Sequence, residues 1–410
     1  MPVKHDIALK GKGTRFKLFA QNPVLEAFKK PEIVWVSPLP GQVSAGPADE
    51  RMYVVDPKED KKPYDFPDMP PYQGAVYSPV PPDSQGHFDY LDESTREFRA
   101  AHMYGTLRRV LDIWEAYFGG RIEWHFRADY PRLELIPYLE WDNAQAGYGF
   151  LETGYGQDKE GDKEPFCLNF DVLAHELGHM MIYSKVGIPQ ETTLTAAYVG
   201  FQESCADLVA LVSVLHFDSF VKHLLESTQG NLYALNELNR IGELSKTEQI
   251  RIASNADKMS DLPSITTPLN QLNHVQQHQM AQPLTGAIFD VLVYLFHDLL
   301  LTKGLISKEL ADMSRRATDN NVDTAEIQER FTSAYQNHQQ GFKEALLTAR
   351  DQVGQCLAAT WSSLSPHHLS YRKVAATFLS VDRHLNGWQY QSEIRDCFLW
   401  RQIGYGFNND

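Results

Sequence analysis

Two histidines four residues apart are the feature of this sequence with the clearest chemistry. His175 and His179 enclose Glu176 in the run His-Glu-Leu-Gly-His. Residues four apart lie on one face of an α-helix, so the two imidazole rings can present nitrogen atoms to one metal ion. Glu176 would then lie beside the metal, where its carboxylate can accept a proton from an attacking water molecule. The pattern predicts a zinc site that performs hydrolysis.

The residues around this motif predict that it lies on an apolar helix. Asn169 or Asp171 can cap the helix, and the positions from Val172 to Met181 are apolar apart from the motif. A five-residue pattern also arises by chance. Two histidines and a glutamate would, however, be costly to bury in an apolar helix without partners. The setting therefore favours a metal site.

A catalytic zinc ion needs a third protein ligand and an open position for water. Ile182 and Lys185 stand three and six residues after His179, which excludes the metzincin pattern of a glycine and a histidine at those places. The next predicted helix carries Glu203 and Asp207 one turn apart. Glu203 is the predicted third ligand, and Asp207 can accept the free N–H of a zinc-bound imidazole. The alternative for this pair is a solvated helix face.

These motifs resemble those of the gluzincin zinc peptidases, on the thermolysin and fungalysin side of that group. The similarity lies in the runs Asp171–His179 and Glu203–Asp207, and a weaker likeness extends over about residues 95 to 300. The resemblance implies a zinc metalloendopeptidase that cleaves peptide or protein substrates. It implies one catalytic zinc ion, held by the two histidines and Glu203, with Glu176 as general base. The sequence assigns no calcium site.

The resemblance also suggests which group stabilises the oxyanion that forms at the scissile carbonyl. The stretch from His278 to Asp290 is similar to the histidine-bearing loop and buried helix of the group. His278 would therefore supply the oxyanion donor, which is a large catalytic contribution. His274 and the hydroxyl group of Tyr198 remain alternatives for this role.

Residues that would hold the substrate are suggested in the same way. Asn143 and Ala144 resemble the start of the edge strand that pairs with an extended substrate backbone. A turn that ends at Asn143 fits these residues equally well. Val172, one turn before the first histidine, would line the pocket for the residue after the scissile bond or would be an ordinary core residue.

The elements that must position these residues fall into three predicted segments. Residues 1–90 are a proline-rich segment with short strands, 91–186 form an α+β lobe that includes the motif helix, and 187–410 form a helical lobe that supplies Glu203. The predicted fold class is α+β, with a mixed sheet and a helix in the N-terminal lobe and a thermolysin-like arrangement. We expect a cleft between the lobes, with the motif helix as its floor.

Local patterns predict the individual elements. A helix is predicted from Ser94 to Phe118, where Gly119-Gly120 ends it, and strands are predicted at Ile122–Phe126 and Leu133–Tyr138. The remaining predicted helices cover about residues 171–185, 191–216, 219–228, 283–302, 324–353 and 370–396.

Charge and composition limit the partners. The 53 acidic residues outnumber 38 Lys and Arg, and the formal net charge of −15 argues against nucleic acid or an anionic membrane surface. The longest apolar run, Leu284–Leu301, contains Asp290 and His297, which predicts a buried core helix and no membrane span. The four scattered cysteines predict free thiols. The N-terminus shows no signal-peptide pattern, so the expected location is cytoplasmic, or outside the cell by a non-classical route.

Two other functions are compatible with the sequence. A non-peptidase zinc hydrolase, or an effector with one dedicated target, would share the metal site but show no general peptide cleavage. A binding or scaffold protein would keep the zinc ion as a structural element with a closed fourth position. Glu176 argues against the last interpretation, because a structural site needs no base.

Overall fold

The structure is a computed structural model, and it describes residues 9–58, 61–157, 161–241, 251–262, 274–315 and 324–404. These residues divide into two compact units, one up to Ser184 and the other from Lys185 onward. The first unit combines helices with a mixed sheet, and the second is nearly all helical. The predicted α+β class is confirmed. The division into segments at residues 90 and 186 stays a prediction.

The first unit is organised around a four-stranded mixed sheet. Three of its strands are parallel, and the fourth is antiparallel and lies at the edge. Two smaller antiparallel pairs accompany the sheet. The sheet order is β3 (Met52–Val54), β4 (Leu133–Ile136), β6 (Phe150–Thr153) and β5 (Ala144–Gly147), and the pairs are β1 (Thr14–Leu18) with β2 (Glu32–Val36), and β7 (Tyr155–Gln157) with β8 (Lys163–Pro165).

Helix α1 (Arg96–Phe118) confirms the first predicted helix. Its start is fixed by Thr95, whose hydroxyl group accepts a hydrogen bond of 3.1 Å from the backbone N–H of Phe98. Its end is fixed by Gly119, which adopts a left-handed conformation with φ of 69°. The helix packs against β1, β2 and the sheet, so it forms the core of the first unit.

The strand predicted at Ile122–Phe126 is wrong. Ile122, Trp124 and Phe126 are buried as the alternating pattern requires, but no strand pairs with them in the described residues, and the chain turns from His125 onward. The N–H of Arg127 donates to the carbonyl of Trp124. Alternating burial therefore arises here without a sheet partner. The next predicted strand is confirmed over Leu133–Ile136.

Helices make up most of the described part of the second unit. Their core is the long helix from His274 to Thr302, against which three other helices of the unit pack. Two of the predicted helices are each divided in two, because turns interrupt them. The helices are α3 (Ala196–Val214), α4 (Asp218–Thr228), α5 (His274–Thr302), α6 (Lys308–Arg315), α7 (Thr324–Gln336), α8 (Gln339–Ser363), α9 (Tyr371–Asn386) and α10 (Gln391–Trp400), and β9 (Arg240–Ile241) pairs with β10 (Arg251–Ile252).

Helix α5 is long and apolar enough to cross a membrane by length and composition. Its most apolar window is, however, 72% buried inside the structure, and a buried core helix passes the same test. The helix is the packing centre of its unit, in agreement with the predicted core helix. A membrane span is not indicated.

The four cysteines are free thiols, as predicted. Cys167, Cys205 and Cys356 are buried, and Cys397 is half-buried. Burial raises the pKa of the Cys167 and Cys356 thiols to about 12. These side chains therefore act as small apolar core residues.

Candidate metal centre

Helix α2 (Phe170–Lys185) carries the histidine pair, and Asn169 sets its start. The Asn169 side-chain oxygen accepts hydrogen bonds from the backbone N–H groups of Asp171 at 3.0 Å and Val172 at 3.4 Å. Asp171 has a different role, because its carboxylate accepts a hydrogen bond of 2.8 Å from the side chain of Gln21. Of the two possible caps, the structure shows Asn169 in this position.

His175 and His179 direct their Nε2 atoms toward the same point. The two nitrogen atoms are 3.1 Å apart, and the ring planes are nearly perpendicular at 87°. Two nitrogen atoms that each bind a tetrahedral zinc ion at about 2.0–2.1 Å would lie roughly 3.3 Å apart. The spacing of the rings therefore fits a single ion. Tyr183, one helical turn further, stacks on His179 with ring centroids 6.4 Å apart.

Glu203 completes a group that could hold a metal ion. One ligand atom from each of His175, His179 and Glu203 lies within 4.8 Å of the others. Two imidazoles and one carboxylate are a donor set that zinc accepts in catalytic sites. Within the described residues the group has these three members. These are the three residues that the sequence predicts as ligands, and their role as ligands stays a prediction.

Glu176 is buried next to this group and has no partner among the described residues. Its side chain is 8% exposed, and its carboxylate makes neither a hydrogen bond nor an ion pair with any residue that the structure describes. Its oxygen atoms are not among the buried side-chain atoms that lack a hydrogen-bond partner, so water reaches the carboxylate. It is available to accept a proton.

Helix α5 brings His278 into contact with Glu203. The Nδ1 atom of His278 is 2.9 Å from Oε2 of Glu203, and both side chains are buried. Helices α3 and α5 approach closely because α3 has a glycine, Gly200, where a Cβ atom would come within 2.8 Å of Met280. The hydroxyl group of Tyr371 also donates a hydrogen bond of 2.5 Å to the carbonyl of Met280. The sequence places His278 at the site but gives no sign of this contact.

The two alternatives to His278 have different outcomes. The hydroxyl group of Tyr198 donates to the carbonyl of Gly187 at 2.6 Å and accepts from the side chain of Gln202 at 2.8 Å. Its proton is therefore already donated within the protein. The side chain of His274 lies outside the described residues.

Asp207 is fully buried one turn beyond Glu203 on α3. Glu203 is also buried, so the alternative prediction that Glu203 and Asp207 lie on a solvated helix face is wrong. The predicted contact between Asp207 and a zinc-bound imidazole stays a prediction.

Of the three residues predicted to hold substrate, Asn143 and Ala144 lie at the edge of the sheet and Val172 lies on α2. The chain bends at Trp141 and Asp142 and enters edge strand β5 at Ala144, so the predicted turn and the predicted strand are both present. The Asn143 side-chain oxygen accepts a hydrogen bond of 2.9 Å from the Ala144 N–H. Val172 is 2% exposed and packs with Ala144 in a small apolar cluster, which is the core position considered for it.

Comparisons with known proteins were made for the whole chain. No family model matches the sequence, and no curated protein sequence matches it. The chain is similar to a solved structure described as the precursor of protealysin, a metalloproteinase from Serratia proteamaculans. The identity is 14% and the TM-score is 0.38, over 72% of this chain and 89% of that chain. At this level of similarity, function must be argued from the site itself.

Proposed function

We propose that this protein is a zinc-dependent metallopeptidase of the gluzincin type. His175, His179 and Glu203 would hold the ion, and their burial and convergence support this role. Zinc, when bound, would supply Lewis acidity that polarises a carbonyl group and lowers the pKa of water.

The side chains around the group would carry out the proton transfers. Glu176 would take a proton from the attacking water molecule and return it to the leaving amine, because its carboxylate is unpaired and follows His175 directly. His278 would stabilise the developing oxyanion from the side of Glu203. The position of His278 favours it over Tyr198 as the oxyanion donor, because the hydroxyl proton of Tyr198 is already donated to the carbonyl of Gly187.

Strand β5 supports a peptide as the substrate. It is an edge strand, and β6 is its only partner among the described strands. An extended peptide can pair with the backbone groups of such an edge, and Asn143 lies where the strand begins. This arrangement favours a peptidase over a hydrolase of small molecules.

The unpaired carboxylate of Glu176 is the observation that carries the proposal. A zinc ion used only as a structural element would give no role to an unpaired carboxylate that water reaches beside a ligand. Action as a general base gives it such a role. The same observation applies to a zinc hydrolase with one dedicated target, which is therefore the second candidate.

The test is the Glu176→Gln variant, which keeps the size of the side chain and removes the base. We expect the purified variant to retain its zinc and to lose peptide hydrolysis by at least about 100-fold, which is what a general base contributes. Zinc is measured by metal analysis, and hydrolysis is measured with casein or a furylacryloyl peptide. Glu329→Gln makes the same chemical change at an exposed position and should leave both unchanged.

Cleavage by Glu176→Gln at the wild-type rate would show that the assignment of Glu176 as the general base is wrong. A peptide library analysed by mass spectrometry, with and without a zinc chelator, separates the two candidates. General cleavage that the chelator stops supports the peptidase. Absence of any cleavage by a fully zinc-loaded protein would contradict the peptidase, because a dedicated-target enzyme and a structural zinc site both predict that result.

A further inference from the structure

The first unit contains a cavity of about 250 Å³ whose lining is rich in positive charge. Lys58, Lys61, Arg96 and Arg99 line it together with two carboxylates, those of Asp56 and Glu140. The first turn of α1 supplies the two arginines, so the positive end of the helix dipole lies at the same place. The chain as a whole carries a net charge of −15. Among the described residues, the lining therefore holds four cations against two carboxylates, unlike the chain as a whole.

The two lining carboxylates are already paired. Asp56 binds Arg96 at 2.6 Å, and Glu140 binds Lys163 at 2.7 Å. Lys61 is also paired, because it binds the fully buried carboxylate of Glu152 at 2.7 Å. Lys58 and Arg99 are the two positively charged residues of the lining that take no part in these ion pairs.

Neither of these two side chains has a hydrogen bond or ion pair with the described residues. The Nε atom of Arg99 is buried without an acceptor, and the guanidinium group lies over the ring of Tyr138 at 4.9 Å. The Lys58 amine lies 5.6 Å from the ring of Tyr77. Stacking on a ring satisfies the face of a guanidinium group but leaves its N–H edge without an acceptor. The terminal N–H groups of Arg99 are not buried and have no acceptor among the described residues, so they are the donors that a ligand in the cavity can reach.

We propose that this cavity, the anion pocket, binds the oxyanion group of a small molecule, either a phosphate or a carboxylate group. The planar edge of Arg99 can donate to two oxygen atoms of such a group, and Lys58 adds a second positive charge. The cavity is smaller than those that enclose drug-sized ligands, so it suits a group of few atoms. Tyr77 and Tyr138 provide flat surfaces for the uncharged part of the ligand.

Titration calorimetry and thermal unfolding with inorganic phosphate, and separately with succinate, test this proposal on the full chain. Sodium chloride at the same ionic strength corrects for non-specific screening. We expect saturable binding of at least one anion and a rise in Tm on binding. The anion that binds identifies the source of the oxyanion group.

The Arg99→Gln variant should weaken binding by about tenfold or more, because hydrogen bonds to charged groups contribute that much. Arg132→Gln is the matched control, since Arg132 also stacks on a tyrosine ring, that of Tyr53 at 4.5 Å, but does not line the pocket. It should bind the anion as the wild type does. Lys58→Gln alters an exposed side chain and should weaken binding even if Arg99→Gln fails to fold.

Phosphate could also bind a metal ion at the candidate zinc site. The difference between Arg99→Gln and Arg132→Gln is therefore the decisive signal, because both retain that site. Equal affinities in the wild type, Arg99→Gln and Lys58→Gln would overturn the proposal, as would the absence of saturable binding by either anion. Neither result depends on peptidase activity, so the anion pocket and the proposed function can fail separately.

Discussion

Helices α1 and α2 each bury a histidine in the first unit, but only one of the two helices presents a candidate site. On α1, His102 is fully buried, and both of its ring nitrogens face the backbone. Nε2 accepts a hydrogen bond of 3.0 Å from the N–H of Phe19, and Nδ1 donates to the carbonyl of Cys167 at 2.8 Å. On α2, the Nε2 atoms of His175 and His179 face each other. Burial alone therefore does not distinguish a candidate metal-binding histidine from a core histidine, whereas convergence of ring nitrogens does.

A third buried histidine supports the same distinction. His297 on α5 is fully buried against the ring of Phe331, and burial lowers its pKa to about 3. Its ring nitrogens have no hydrogen-bond partner in the ranges that the structure describes, and it is not in the metal-binding group found among those residues. A buried histidine can thus be a core residue with or without hydrogen bonds.

The largest expected effect comes from removing a member of the converging group. His179→Ala and Glu203→Ala should each lower zinc content from about one ion per chain to almost none, because a two-ligand site cannot compete for the ion. Hydrolysis should be lost with the metal. Metal analysis after gel filtration measures the occupancy. His384→Ala removes an exposed histidine and should keep the ion, whereas full occupancy in either ligand variant would contradict the assigned ligands.

The second expected effect concerns His102 and the pH dependence of stability. Burial lowers the pKa of His102 to about 4, although the hydrogen bond to the Cys167 carbonyl acts in the opposite direction. The folded protein therefore prefers the neutral ring. Its contribution to stability is complete above pH 6.5 and is lost as the pH falls from about 6.5 to about 4. The loss is about 3 kcal/mol for a pKa difference of this size.

Urea unfolding at a series of pH values measures this effect. His102→Gln cannot take up the proton, so the variant should lose less stability than the wild type over the same pH interval. Other buried histidines, including His297, titrate in both proteins, and the difference between the two curves isolates His102. Parallel curves would show that His102 does not contribute. Zinc content above pH 7 should stay the same in both, because His102 is outside the converging group.

The smallest expected effect tests the edge strand. Asn143→Ala should raise KM for peptides by roughly two- to tenfold with little change in kcat, since one hydrogen bond to the substrate backbone would be lost. Steady-state kinetics with the same peptide substrate gives both constants. Asn337→Ala, at an exposed position on the turn after α7, is the control. A fall in kcat with KM unchanged would place Asn143 outside substrate binding.

Local patterns were sufficient for the three candidate residues and for most of the helices, although they missed α6 and the first nine residues of α5 and joined two pairs of helices. The bounds of α1 follow from Thr95 and Gly119, and the histidine pair follows from the helical period. Glu203 was predicted from its distance from His179 along the chain. Alternation alone failed at Ile122–Phe126, because the pattern reports burial and cannot supply a strand partner.

Features that depend on distant segments could not be predicted. The contact between His278 and Glu203 requires the close approach of two helices at Gly200, which lies 78 residues before His278 along the chain. The anion pocket joins residues near positions 58, 99 and 138. Each of these stretches alone has an ordinary mixture of charges, and only the fold shows that Lys58 and Arg99 form no ion pair among the described residues.

Edge strand β5 also bears on how the protein avoids association with other copies of itself. An exposed edge can template pairing with the edge of a neighbouring molecule, which leads to aggregation. Strand β5 is only four residues long, with the sequence Ala-Gln-Ala-Gly, and these residue types have low strand propensity. So short an edge gives a neighbouring molecule few hydrogen bonds. A peptide substrate would need no more hydrogen bonds to this strand, because it would also be held at its scissile bond. We therefore expect the protein to remain soluble at concentrations where a protein with a longer edge strand would aggregate.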